Sequence, residues 1–406
     1  MQILQAWLRR APSRATALVF PDGASATFGD LAGMAGRGVA PGLQAFEARD
    51  AATLARGMVL AGLEGGTAFP LPPGLDAARR DRLLALAQAA AHPSLALIIA
   101  TSGSTGDAKG VRLPWRAVAA ASRMSARSLN LRPGDAWLAC LPLHHVGGAM
   151  ILYRCLRAGA TAVVHEGFDV AAVARDLTAR RITHVSLVPP MLAQLLDAAV
   201  PPAPTLRCVL VGGAALHEGL FDRARAAGWP VRTTWGMSET CATAAVDGHP
   251  LPGVKVRLSA AGTLEVASPA RMAGYLGQPD AGPAAEGWLA TSDLGAIDAA
   301  GRIRILGRAD DVLVSAGVNV HPLEVEAHLA ACPGVREAGV TGLTDPVWGA
   351  VIACAYEGEA GEAALDDWCR AHLSSARRPR RFLRVARLPR TASGKLDRRA
   401  LSGLWS

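Results

Sequence analysis

Leu95-Ala96-Leu97-Ile98-Ile99-Ala100 runs directly into Thr101-Ser102-Gly103-Ser104-Thr105-Gly106-Asp107-Ala108-Lys109-Gly110. The first six residues form a short, wholly apolar run, which reads as a buried strand. The next ten hold four hydroxyls, three glycines and one lysine. Glycine lets backbone N–H groups approach an anion with no Cβ in the way, hydroxyls add donors, and an ammonium adds a point charge. A strand that ends in such a loop predicts a phosphate-binding turn. The Walker A pattern needs lysine directly after its last glycine and a hydroxyl after the lysine. Here Lys109 stands three residues after Gly106 and is followed by Gly110, so that pattern fails on spacing.

Outward from this stretch the text alternates. Apolar runs at 95–100, 161–165, 183–188 and 208–211 are separated by Ala/Leu/Arg segments long enough for helices, which predicts α/β structure with a mostly parallel sheet. Residues 1–95 read as Ala/Leu/Gly/Arg-rich and helical in places, as at Ala77–Ala91. From Gly253 short strands follow closely, with turns at Ala261-Gly262 and Ala299-Ala300-Gly301, and read as a small β-unit. A further unit starts after Gly307-Arg308. There His321 and Pro322 open a helix, 335–343 and 350–356 read as strands, and Asp366–Ser374 reads as a helix. The expected fold class is therefore α/β: a large N-terminal domain of stacked α/β subdomains plus the small β-unit over 1–306, and a small α+β C-terminal domain over 307–406.

Composition narrows the function classes. The chain has 406 residues, 42 basic against 34 acidic, for a net charge of +8. Half the residues are apolar and 19% are charged, which is globular and not disordered. No apolar run approaches the roughly 18 residues of a membrane span, and the opening residues show no signal-peptide pattern. Seven scattered cysteines with no CxxC pair argue against a zinc ribbon or disulfide scaffold and fit a reducing cytoplasm. The positive charge alone would suit nucleic acid, but the arginines are spread out and aromatics make up only 5%. The dense cluster is Arg377–Arg381, read as a solvated face or an edge for an anionic ligand. Only Lys109, Lys255 and Lys395 are lysines among the 42 basic residues. Where arginine serves for generic charge, a retained lysine points to a task that needs a compact ammonium.

The 101–110 loop resembles the signature loop of the acyl-adenylate-forming superfamily, with Ala108 where proline is usual. Further blocks follow in the order of that family. Thr234-Trp235-Gly236-Met237-Ser238-Glu239-Thr240 resembles the block whose aromatic ring stacks on adenine, whose hydroxyl holds the α-phosphate and whose glutamate helps hold Mg2+; Trp235 replaces the usual tyrosine and Ser238 the usual threonine. Gly213 and Ala214 match a loop that presents backbone to adenine and the acyl group, and Asp293 matches the ribose-binding aspartate. Arg308 would bond ribose and phosphate, Asp310 would be the hinge of a mobile small domain, and Gly317 would let the chain pass close to the pantetheine of coenzyme A. The customary lysine of that stretch is Val314 here. Lys395 stands where the family carries its adenylation lysine, and His145 where it carries a histidine gating the acyl pocket.

The texture between 137 and 275 is most similar to the o-succinylbenzoate–CoA ligases of menaquinone biosynthesis, with the first 95 residues shortened. That resemblance implies an aromatic keto acid with a second carboxylate, for which Arg154 is the candidate cation, alongside His145, Val188, Gly213 and Met237 as acyl-pocket residues. The implied activity is ATP-dependent formation of an acyl-AMP with pyrophosphate release, then transfer to the CoA thiol. Lys395, Ser238, Glu239 and His145 are the catalytic residues it implies. Thr101, Ser102, Gly103, Ser104, Thr105, Gly106, Lys109, Gly213, Ala214, Thr234, Trp235, Gly236, Asp293 and Arg308 are the nucleotide-binding ones. ATP, Mg2+ and coenzyme A are the expected cosubstrates and cofactor. No nucleic acid, no membrane span and a cytoplasmic location are expected, and a homodimer is compatible. Other readings are another aryl- or fatty-acid–CoA ligase, a stand-alone enzyme loading a carrier protein, and a non-catalytic nucleotide or acyl sensor on the same fold.

Overall fold

The computed structural model describes residues 3–36, 42–47, 50–102, 108–278, 287–345, 349–391 and 394–405. It divides into two compact units. The first comprises Met1–Gly213, Ala224–Val256 and Val266–Leu289; the second comprises Ala214–Arg223, Arg257–Glu265 and Ala290–Ser406.

The first unit is built on two sheets. The strands are β1 (Thr16–Val19), β2 (Ser25–Thr27), β3 (Leu43–Glu47), β4 (Thr67–Leu71), β5 (Leu95–Ser102), β6 (Ala108–Pro114), β7 (Ala136–Ala139), β8 (Thr161–Val164), β9 (His184–Leu187), β10 (Cys208–Val211), β11 (Val231–Trp235), β12 (Ala245–Val246) and β13 (His249–Pro250). The larger sheet runs β13-β12-β11-β10-β9-β7-β8-β1-β2, and its centre from β11 to β1 is parallel. Helices Val146–Ala158, Val170–Ala179 and Pro189–Asp197 make the crossovers. Strands β7 to β10 are short and almost wholly apolar because both faces are covered. The smaller sheet, β3-β4-β5-β6, carries the 95–110 stretch as an antiparallel pair with Thr101 opposite Lys109.

Strand order positions the site. From β7 the chain steps to β8 on one side and then returns to β9 on the other. Adjacent β7 and β9 therefore form a topological switch point, and ligands of open α/β sheets sit at the carboxyl ends of the strands there. His144 and His145 follow β7, Val188 follows β9, Gly213 lies just past β10, and Trp235 ends β11.

The remaining strands are β14 (Lys255–Leu258), β15 (Thr263–Ala267), β16 (Trp288–Ile297), β17 (Ile303–Arg308), β18 (Leu313–Ser315), β19 (Val318–Val320), β20 (Val335–Asp345), β21 (Gly349–Gly358) and β22 (Arg381–Arg384). A four-stranded sheet, β14-β15-β16-β17, is followed by one of β19-β18-β21-β20 with β22 beside β21. The latter packs helices Pro322–Ala330 and Glu362–His372 over a core of Val325, Leu329, Val340, Tyr356 and Leu365. The expected α/β class with a smaller α+β portion is the architecture observed.

One expected helix boundary needs correction, and the N-terminal region adds strands. The opening 95 residues hold strands as well as helices. Thr67–Leu71 is a strand despite Pro70, which has no N–H to donate: all five residues are buried, and it pairs in parallel with β3 over its full length and with β5 at Ala68. The helix expected over 366–374 spans Glu362–His372 instead, because Gly361 opens it and Glu362, Ala363 and Ala364 fill its first turn.

The C-terminal end of the second unit is held by one arginine. Arg398 meets the buried Glu326 with both terminal nitrogens, at 2.6 and 3.0 Å, and Asp311 through Nε at 3.1 Å. Glu326 also accepts from the backbone N–H of Val340. Arg398→Met should therefore strand a carboxylate that is 3% exposed and destabilise the fold by about 3–5 kcal/mol. Arg398→Met combined with Glu326→Gln should recover part of that loss. Denaturant melts of the two variants check this; equal losses for both would show that the charge pair is not the source.

Candidate active site

The β5–β6 pair places Lys109 on the strand that leaves the glycine-rich loop, and the Thr101 hydroxyl donates to the Lys109 carbonyl at 3.2 Å. Gly103, Ser104, Thr105 and Gly106 lie outside the described residues, as does the side chain of Ser102. The Lys109 ammonium stands 5.5 Å from the centre of the Tyr275 ring, within cation–π range. The Tyr275 hydroxyl donates to Glu239 Oε1 at 2.8 Å. Burial first, and then the Glu239 charge, raises the Tyr275 pKa, so the phenol stays a donor at neutral pH. Tyr275 carries no signal in the sequence; only its Gly-Tyr setting after a strand could have drawn attention to it.

Glu239 is presented by a strained loop. Strands β11 and β12 pair with Thr234 opposite Val246 and Trp235 opposite Ala245. Between them a single 3-10 turn, Ser238–Thr240, is closed by the Thr240 and Ala242 N–H groups donating to the Met237 carbonyl. Cys241 and Ala242 then both take positive φ, +53° and +79°, a conformation that is costly for side-chain-bearing residues. Gly236 makes this closure possible, since a Cβ there would lie 1.8 Å from the Ala242 carbonyl oxygen. Its glycine is thus required by the loop that displays Trp235, Ser238 and Glu239, all partly exposed. Met237 packs from the same loop against the core.

No group of three or more His, Cys, Asp or Glu side chains able to hold a metal ion occurs among the described residues. A lone Glu239 carboxylate suits Mg2+, which keeps waters and is usually bound by one or two carboxylates plus substrate phosphates. The residues present therefore fit a Mg2+ that arrives with a polyphosphate.

Around the switch point, His145 is the N-cap residue of helix Val146–Ala158, and its ring lies 4.3 Å from that of His144. His144 is buried, its Nε2 has no partner, and burial lowers its pKa. Further along the helix Arg154 is 2% exposed. It donates to the Thr243 hydroxyl at 2.8 Å and lies 5.4 Å from the centre of the Trp137 ring. Its Nε is buried without a partner, no carboxylate pairs with it among the described residues, and burial pushes its pKa down to about 10. Val188, nearly buried, caps the helix after β9. Gly213 is exposed with φ +81°; Ala214, also exposed, begins a segment of the second unit.

Within the second unit, Asp293 and Arg308 face each other across β16 and β17. Arg308 grips Asp310 with two bonds of 2.8 and 2.7 Å and reaches Asp293 at 3.5 Å. The bond from Arg308 holds the Asp310 carboxyl below its usual range. Gly317, with Ala316, forms the two-residue turn of the β18–β19 hairpin, both at positive φ. Lys395 is exposed on a loop closed by the Thr391 N–H donating to its carbonyl at 2.8 Å and the Gly394 N–H donating to Thr391 at 2.9 Å. Arg390 anchors that loop by donating to Gly394 and by pairing with Glu337. The arginine run is largely engaged: Arg377 with Glu324, Arg378 with the Leu373 carbonyl, Arg380 with Ser375. Arg378, Arg380 and Arg381 line a cleft of about 490 Å³ with Ser315, Val351 and Ser375.

All seven cysteines are reduced and buried, and burial pushes the Cys140, Cys208 and Cys241 thiols up to about 12.

Comparison with known proteins decides the family. The model of the AMP-binding enzymes matches residues 67–275, and that of the AMP-binding enzyme C-terminal domain matches 324–395. A 2-succinylbenzoate–CoA ligase of Bacillus pumilus is 35% identical over 331 residues, covering 75% of this chain and 68% of its own. The chain belongs to the AMP-binding enzyme family. Its fold agrees: o-succinylbenzoate CoA synthetase from Bacillus subtilis, solved with the acyl-adenylate intermediate OSB-AMP, superposes with a TM-score of 0.87 at 26% identity, over 99% of this chain and 98% of the other. The same synthetase with ATP and magnesium ion gives 0.86 at 25%, over 99% of each. The resemblance carried by the motifs is thus borne out. The activity of this AMP-binding enzyme is ATP-dependent acid–CoA ligation through an acyl-AMP intermediate. Among the described residues no helix is long and apolar enough to cross a membrane.

Proposed function

We propose that the acid is 2-succinylbenzoate, activated at its succinyl carboxylate and passed to the thiol of coenzyme A. The observation that carries this reading is the Arg154 guanidinium, buried with no carboxylate partner among the described residues. A lone buried cation is unfavourable unless something neutralises it, and the second carboxylate of a dicarboxylic acid has the charge to do so. The named relatives act on such an acid, and Arg154 lies on the helix that His145 caps.

In this reading the Trp235 face holds adenine, and Ser238 and the 101–110 loop, with Lys109, hold the phosphates. Asp293 and Arg308 serve the ribose end. Glu239 would hold Mg2+, which when bound offsets phosphate charge. The acid's carboxylate attacks the α-phosphate and pyrophosphate leaves, with the Lys395 ammonium stabilising the charge that shifts across that phosphate. The 307–406 domain, turning at Asp310, then withdraws Lys395 and lets the CoA thiol attack the acyl carbonyl, releasing AMP. Gly317 would border the pantetheine, and the Arg378–Arg381 cleft would receive CoA phosphates.

The test is acid-dependent ATP–pyrophosphate exchange across 2-succinylbenzoate, simple aryl acids and fatty acids, followed by comparison of CoA with carrier proteins as acceptors. Exchange restricted to the keto-aryl dicarboxylate and discharge to free CoA are expected. Exchange driven as well by a monocarboxylic acid would remove the substrate assignment and leave the ligase class standing.

A further inference from the structure

The segment 272–276 ties together the two elements on which ATP binding is proposed to rest. At one end the Met272 N–H donates to the Glu239 carbonyl at 2.8 Å. At the other the Leu276 N–H donates to the Gly110 carbonyl at 2.8 Å, next to Lys109. Between them Ala273 and Gly274 exchange backbone bonds with Arg112 at 2.8 and 3.0 Å, and Tyr275 bridges to Val111. The fit is close, since a Cβ on Gly110 would lie 2.3 Å from the Leu276 side chain. Tyr275 repeats this link with its side chain: hydroxyl on the Glu239 carboxylate at 2.8 Å, ring 5.5 Å from the Lys109 ammonium.

We propose that Tyr275 is a positioning residue for Mg·ATP, its hydroxyl setting the Glu239 carboxylate toward the metal and its ring seating the Lys109 ammonium toward the phosphates. The two contacts divide by chemistry. A glutamate on a loop has several rotamers, and a single donor on Oε1 selects one and leaves Oε2 for another ligand. An aromatic face attracts an ammonium without neutralising it, so Lys109 keeps its full charge for an anion. Tyr275 touches neither substrate nor reacting atoms in this account. The proposal rests on the reading of Glu239 and Lys109 given above.

ATP binding to the full chain, measured by titration calorimetry in Mg2+ and again in EDTA, separates these roles without turnover. Tyr275→Phe keeps the ring and drops the hydroxyl. The gain in ATP affinity conferred by Mg2+ should fall about tenfold, the scale of one hydrogen bond to a charged group, with affinity in EDTA unchanged. Tyr275→Leu should in addition weaken binding in EDTA. In a Glu239→Gln background Tyr275→Phe should have no further effect on the Mg2+ gain. An undiminished Mg2+ gain in Tyr275→Phe overturns the proposal, as does an equal loss in both buffers, which would mark a merely structural tyrosine. A wild-type chain whose ATP affinity ignores Mg2+ would instead overturn the Glu239 reading and the proposal with it.

Discussion

Lys395→Ala is expected to lower acid-dependent ATP–pyrophosphate exchange by ~10²–10³-fold while sparing thioester formation from supplied acyl-AMP. The loss is confined to one half-reaction because the ammonium serves only while charge moves across the α-phosphate. The geometry makes this residue separable from the fold. Its side chain is exposed, and its loop is closed by the Thr391 and Gly394 backbone bonds and anchored by Arg390. Melting should therefore be unaffected. Lys395→Arg should rescue little, since a planar fork does not replace a compact ammonium. Gly317→Leu supplies the mirror case: acyl-AMP should form and its transfer to CoA should fail. Should both variants fail at the same half-reaction, the division of labour between two conformations is wrong.

Arg154→Met is expected to weaken 2-succinylbenzoate use by ~10²-fold or more in kcat/KM, the scale of truncating one partner of a buried charge pair. Activation of an aryl acid lacking the second carboxylate should be spared. The same change should leave the fold as stable or make it up to ~4 kcal/mol more stable, because a buried charge is replaced by an apolar chain of similar length. Opposite signs for stability and activity distinguish a ligand-binding arginine from a structural one. Kinetics with the two acids, together with thermal melts, provide the check. A variant that loses both acids equally, or that melts early, would return Arg154 to the scaffold.

The family was legible because its sequence blocks need particular residue types at fixed spacing. Thr234–Thr240, Asp293, Arg308 and Lys395 stand in the blocks that carried that resemblance. The alternation of 161–165, 183–188 and 208–211 with helical stretches likewise announced the parallel sheet. What escaped was set by tertiary contact. Pro70 disguised a buried strand that pairs with β3 along its whole length. Tyr275 became visible only when its hydroxyl met Glu239, which is 36 positions away in the chain. Gly236 and Gly317 looked like ligand-facing glycines, and the fold gives each a backbone task as well: Gly236 closes a loop against Ala242, and Gly317 turns a hairpin. Helix position alone does not separate Arg154 from a surface salt bridge; its burial, with no carboxylate partner among the described residues, does.

The seven shielded thiols have a corollary for an enzyme that generates a mixed anhydride. Such a species acylates any accessible thiolate, and nucleophilicity at sulfur requires deprotonation. With its own sulfhydryls enclosed and Cys140, Cys208 and Cys241 held protonated far above neutrality, the chain offers the activated acid no exposed thiol to compete with the incoming cosubstrate. Acyl capture by the chain's own sulfur is thereby suppressed by packing.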